Sequence, residues 1–182
     1  MKKKLILAAF AMMAYAANAS AQTAPILANG DMEIWTTGKQ LPKQWSTFYT
    51  IEKEGLFSPS AEAHSGKSAI QISFTPQKEF DNRRFFTTAF NLEAGKHQVK
   101  LFLKGSGDIR FIALHKKDTN AAGKNSSTNI AGAPAVGKVN NKEWKEYVLD
   151  FDIIDADSYQ LTICFNAADK LLIDDVAVNK LK

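Results

Sequence analysis

Apolar and polar residues alternate at every second position along much of this chain, in short runs. In Ala69–Phe74, Ile70, Ile72 and Phe74 fall on one face. Over residues 97–104, Val99, Leu101 and Leu103 do the same and leave Lys100, Phe102 and Lys104 opposite. Residues 109–115 and 159–165 repeat the pattern, and residues 171–178 read as a closing strand. A period of two sends neighbouring side chains to opposite faces of a pleated strand. The runs are rich in Ile, Val, Phe and Tyr and are bounded by Gly, Asn, Asp or Pro, as strands are. Beyond the first 21 residues, no stretch carries the spacing of a long amphipathic helix. About nine short strands in one domain predict a β-sandwich or a barrel.

Turn signals separate the runs at Asn29-Gly30, Ser65-Gly66, Ala94-Gly95 and Gly105-Ser106-Gly107. Two connections stand out. Residues 36–43 form a Gly-containing loop between Trp35 and Trp45. Residues 117–142 form a longer one, rich in Asn, Ser, Ala and Gly. With little apolar content and no aromatic residue before Trp144, it is expected to be mobile.

The N-terminus carries a different pattern. Lys2, Lys3 and Lys4 precede an apolar run over residues 5–17, and Ala19-Ser20-Ala21 supplies small residues for cleavage. These are the three parts of a bacterial export signal. The run is shorter than the roughly 20 residues a membrane span needs. Cleavage after Ala21 leaves residues 22–182 as one β-sandwich domain, secreted or periplasmic, with no cysteine nearby for a lipid anchor and no later membrane span. The whole sequence has 23 Lys and Arg against 19 Asp and Glu. Three of those lysines leave with the signal, so the remainder is close to neutral. Its charges are interspersed, without the basic stripe that tracking a nucleic-acid backbone requires. The only cysteine, Cys164, lies in an alternating apolar run, where a small buried thiol is expected. No disulfide can form within the chain, so the core or a metal must stabilise it.

Four segments, taken in order, resemble one family. Asn29-Gly30-Asp31-Met32-Glu33 is similar to an opening "NGDFE" strand, and Leu41-Pro42-Lys43-Gln44-Trp45 to the "P-x-x-W" that follows it. His64-Ser65-Gly66-Lys67-Ser68-Ala69 resembles an "HSGKxA" turn, and Leu172-Ile173-Asp174-Asp175-Val176 a closing "IDDV" strand. Together they resemble the carbohydrate-binding module family 4/9-like domains of the galactose-binding-like superfamily. The resemblance implies an all-β fold, a two-sheet antiparallel jelly-roll sandwich in which Trp45 and Trp144 pack inside. It also implies a structural calcium between the chain ends. Ca²⁺ takes six to eight oxygen ligands. Glu33 and Asp174 are the candidate carboxylates, and Asp31 and Lys67 the candidate carbonyl donors.

Sugar binding draws on aromatic faces for the C–H side of a pyranose and on planar polar groups for its hydroxyls. Phe102, alone among lysines, is a candidate stacking platform. Arg110 and Gln160 stand opposite the apolar faces of their strands, and the three are expected to share the concave sheet. Asp81-Asn82-Arg83-Arg84 reads as a charged loop before Phe85 and Phe86. No catalytic residues are expected. No motif selects a carboxylate pair for glycoside hydrolysis, and His64, His97 and His115 lack zinc-ligand spacing. There is no G-x-S-x-G elbow and no phosphate loop. Two readings follow: a module that recognises a poly- or oligosaccharide, or an envelope module that binds a protein partner.

Overall fold

The structure, a computed structural model, describes residues 26–52, 54–75, 83–119, 125–130 and 136–182. The expected export signal, Asp81, Asn82 and parts of the 117–142 connection lie outside the described residues. The elements in chain order are β1 (Trp45–Thr47), the short helix α1 (Tyr49–Glu52), β2 (Phe57–Ser60), β3 (Ala69–Phe74) and β4 (Arg83–Thr87). They continue with β5 (Phe90–Leu92), β6 (Gly95–Thr119), β7 (Asn125–Ile130), β8 (Gly137–Ile153) and β9 (Asp157–Lys180). All strand pairings are antiparallel.

Two strands build both layers. β6 and β9 run side by side over almost their whole length, from His97 opposite Lys180 to Lys116 opposite Tyr159. The first part of β9 carries β4 and β5 on its other edge, and β1 lies beyond β4. The last part carries β3 and then β2. On the far edge of β6, β8 pairs with the first half and β7 with the second. One layer is therefore β1-β4-β9-β6-β7, and the other is β2-β3-β9-β6-β8. The sheet curls back on itself as a jelly-roll sandwich. Phe57 of β2 meets Phe85 of β4 edge-on at 5.5 Å, and Phe85 stacks parallel to Phe165 at 5.8 Å. Ile70, Ile72, Val99, Leu101, Leu103, Ile112, Leu114, Leu161, Ile163 and Ile173 fill the space around them without solvent exposure. Alternation puts these residues on the inner faces.

The expected short strands at 97–104 and 109–115 are one strand, and so are those at 159–165 and 171–178. Gly105-Ser106-Gly107 is a bend within β6, not its end. Irregularities fall between Lys104 and Ser106 and between Ile109 and Phe111. Bulges of this kind bend a strand and add twist while pairing continues on either side. Gly105 shows why glycine occupies the bend. Its φ is +96°, and a Cβ there would stand 2.1 Å from the Lys170 carbonyl oxygen. Only glycine lets β6 and β9 approach so closely while adopting that φ.

The long mobile connection is also corrected in part. β6 continues to Thr119, Asn125–Ile130 forms β7 against it, and β8 begins at Gly137. A polar edge strand is ordered by its backbone ladder and needs no apolar alternation, which is why the composition concealed it. Arg83 and Arg84 likewise belong to β4 and not to a loop.

Candidate functional site

The expected clamp at the chain ends takes the following form. Val176 N–H donates to the Gly30 carbonyl at 2.8 Å, which ties the opening segment to β9. The turn at residues 64–68 is held from both sides by carboxylates. Glu33 Oε1 accepts from Lys67 and Ser68 N–H, each at 2.8 Å. Asp174 Oδ2 accepts from His64 N–H at 2.7 Å and Ser65 N–H at 3.2 Å, and its Oδ1 accepts from Asp175 N–H at 2.7 Å. Gly66, at φ +62°, lets the turn close against Glu33, since a Cβ would lie 2.5 Å from Oε1.

Asp174 is fully buried. Burial raises its pKa to about 6, although the amides of Asp175, Ser65 and His64 favour the charged form. Asp31 is exposed and lines a shallow pocket beside Asp175. Among the described residues, no three His, Cys, Asp or Glu side chains gather where they could hold a metal ion. Glu33 Oε1 and both oxygens of Asp174 point at N–H groups, whose dipoles repel a cation. A shell of six to eight oxygens for Ca²⁺ would therefore have to draw on other atoms, such as Glu33 Oε2 and main-chain carbonyls.

Phe102 lies in this clasp. It lies opposite Asp174 on β9, and the His64 ring stacks on it at 3.5 Å and 15°. His64 Nδ1 is 2.6 Å from Asp175 Oδ2, and Ser65 Oγ donates to Asp175 Oδ1 at 2.9 Å. Trp144, expected inside, is half-buried on the same surface and meets His64 edge-on at 5.8 Å. Trp45 is buried as expected and donates its indole N–H to the Asn29 carbonyl. The structure therefore separates Phe102 from the other two candidates, Arg110 and Gln160, which lie on the β4-β9-β6 layer.

The outer face of that layer is built by register. Phe86, Thr162 and Ala113 form one row across β4, β9 and β6, while Arg84, Cys164 and Phe111 form the next. Gln160 lies opposite His115 and donates its amide to the Thr87 carbonyl at 2.6 Å. Arg110 is the extra residue of the bulge between Ile109 and Phe111. Cys164, Thr162, Ala113 and His115 form a buried floor, between 0% and 7% exposed, and Arg84, Phe86, Phe111 and Gln160 rise around it half-buried. At the rim, Phe48 is 45% exposed, meets Phe86 edge-on at 5.6 Å, and carries the Arg84 guanidinium over its ring at 4.7 Å.

Polar groups on this face lack partners. Neither ring nitrogen of His115 has a hydrogen-bond partner among the described residues, and neither does Arg84 Nε, although all three atoms are buried. Burial, and then the nearby Arg84 charge, lowers the His115 pKa, so the ring is neutral near pH 7. The Cys164 thiol is raised by burial against the pull of Arg84 and Arg110, which keeps it protonated and unreactive. A neutral imidazole offers one donor and one acceptor. Leaving such buried groups unpaired costs about 1–3 kcal/mol each. Buried groups of this kind are usually paired with protein, ordered water or a ligand.

Sequence reasoning passed over Phe48 and Phe111 on this face and read Arg84, just before Phe86, as part of a charged loop. A signal was present: Ile109 is followed by Ile112 and Leu114, and that three-residue step marks the bulge which moves Phe111 and His115 outward.

No protein-family model matches the chain, and no curated protein matches it in sequence. Its fold is found among solved structures. The CBM22-1 xylan-binding domain of Paenibacillus barcinonensis Xyn10C is 13% identical, with a TM-score of 0.51 over 84% of this chain and 93% of that one. TmCBM61, solved with β-1,4-galactotriose, is 20% identical, with a TM-score of 0.52 over 87% of this chain and 100% of that one. The enzymatically active domain of bacteriophage CBA120 tailspike protein 4 is 12% identical, with a TM-score of 0.53 over 86% of this chain but 21% of that one. Carbohydrate-binding modules are thus among its structural neighbours, and the likeness is one of fold.

Proposed function

We propose that this chain is a non-catalytic, exported glycan-binding module, and that the outer face of the β1-β4-β9-β6-β7 layer takes the sugar. The observation that carries the reading is His115, buried at the floor with both ring nitrogens unpartnered among the described residues. Around it stand the chemical types a pyranose needs. Phe48 and Phe111 offer apolar surface to the C–H faces, and His115 and the side-chain oxygen of Gln160 suit hydroxyl groups. The ordered resemblance of four segments to family 4/9-like modules supports the same reading. So does the fold shared with a xylan-binding domain and a galactotriose-bound module.

The test is binding to immobilised and soluble polysaccharides by affinity electrophoresis, with Phe48→Ala and His115→Ala beside the parent. Retardation by at least one polysaccharide, lost in both variants while their melting temperatures stay high, is the expected result. Retardation that survives both substitutions would place the ligand elsewhere.

A further inference from the structure

Two guanidinium groups stand on the outer face of this layer. Arg84 stands in β4, level with Cys164, and Arg110 bulges from β6 beside the same row. Both guanidinium groups act on the Cys164 thiol, so both charges lie within electrostatic reach of one point on the floor. The positions that register brings around them are Phe86, Phe111, Ala113, Gln160 and Thr162, with no Asp or Glu among them. Neighbouring carboxylates are engaged elsewhere: Glu54 with Arg83 at 2.7 Å, and Asp155 and Asp157 with Lys116.

We propose that the ligand of this face is an anionic saccharide whose carboxylate or sulfate is held by Arg84, with Arg110 adding charge and His115 bonding a ring hydroxyl. This rests on the glycan-binding reading above and narrows it. The Arg84 guanidinium is already oriented, lying over Phe48 with Nε buried and unpartnered. A planar guanidinium suits two oxygens of a carboxylate or sulfate and makes charge-assisted bonds about twice as strong as neutral ones. A neutral sugar would leave that partly desolvated charge uncompensated, whereas an anionic one removes the mismatch.

Calorimetric titration of the purified protein with oligogalacturonate (carboxylate without sulfate), carrageenan oligosaccharides (sulfate without carboxylate) and xylohexaose (neutral) tests the proposal. The expected result is that one or both anionic ligands bind about tenfold or more tightly than xylohexaose. Arg84→Gln should abolish that preference, and 0.5 M salt should weaken it, because screening acts on the ionic part. The arm that binds identifies the anion. Preference for xylohexaose, equal binding of all three, or an anionic preference that Arg84→Gln leaves intact would overturn the inference while glycan binding stands. No binding to any of these, or to a wider panel of polysaccharides, would overturn the glycan-binding reading as well. Thermal melting of the variant, which is expected to match the parent, separates lost binding from lost fold.

Discussion

At the scale of single residues, two buried polar side chains in this molecule have opposite circumstances. Asp174 is enclosed yet satisfied, with three amide donors closing the turn at residues 64–68 onto β9. His115 is enclosed and has no hydrogen-bond partner among the described residues. The difference predicts opposite responses to replacement. His115→Leu removes a buried group that has no partner among the described residues, so the fold should gain about 1 kcal/mol in urea unfolding while glycan binding is lost. A destabilised variant would mean that the imidazole makes a structural bond after all.

Asp174 has its own signature. Its pKa is about 6 in the folded chain against an ordinary 3.8, so the folded state holds the proton more tightly than the unfolded one. Its contribution is fully present below about pH 3.8 and is lost as pH rises through about 6, an effect of at most about 3 kcal/mol. The stability of the parent relative to Asp174→Asn should therefore increase between pH 7.5 and pH 4.5. Denaturant midpoints at the two pH values check this, and a pH-independent difference would show that amide bonding outweighs burial.

At the scale of elements, the long strands decide where side chains go. β6 serves both layers because glycine at its bend lets it pass close to β9. Gly105→Ala would combine a φ of +96° with a Cβ 2.1 Å from the Lys170 carbonyl, and should cost roughly 2–4 kcal/mol. Chemical denaturation measures it, and a loss under 1 kcal/mol would show that the two strands part easily there. The same bend explains what the sequence revealed and what it hid. Alternation placed Ile70, Ile72, Val99, Leu101 and Leu103 in the core, and all five are fully buried. Alternation alone could not show that Gly105-Ser106-Gly107 continues a strand, because glycine pairs mark turns more often than bends. Nor could it carry parity across the bulge at Arg110. Phe102 and Gln160 therefore read as neighbours on one face, although they lie on different layers. β7 was hidden for another reason, since an edge strand of Ser, Thr and Asn has no apolar rhythm.

At the scale of the whole molecule, the chain ends are joined without a disulfide. A backbone bond from Val176 to Gly30 and two carboxylates gripping one turn fix the opening segment, the turn and the last strand together. Because those carboxylate oxygens already face amide donors, 5 mM calcium should leave the melting temperature within about 1 °C of its value in EDTA. A ligand bound only by the folded chain would raise it, so a rise of several degrees would show that carbonyl oxygens gather around a cation here. This clasp lies on one layer, and the proposed glycan face is the outer face of the other.

The central claim is therefore one of location, and amide chemical-shift mapping tests it most directly. Titrating the labelled protein with the polysaccharide fragment that binds best should move the resonances of Arg84, Phe86, Phe111, His115 and Thr162, while those of His64, Phe102 and Trp144 stay still. Shifts confined to the His64–Phe102–Trp144 surface, with the β4-β9-β6 face unmoved, would contradict the account.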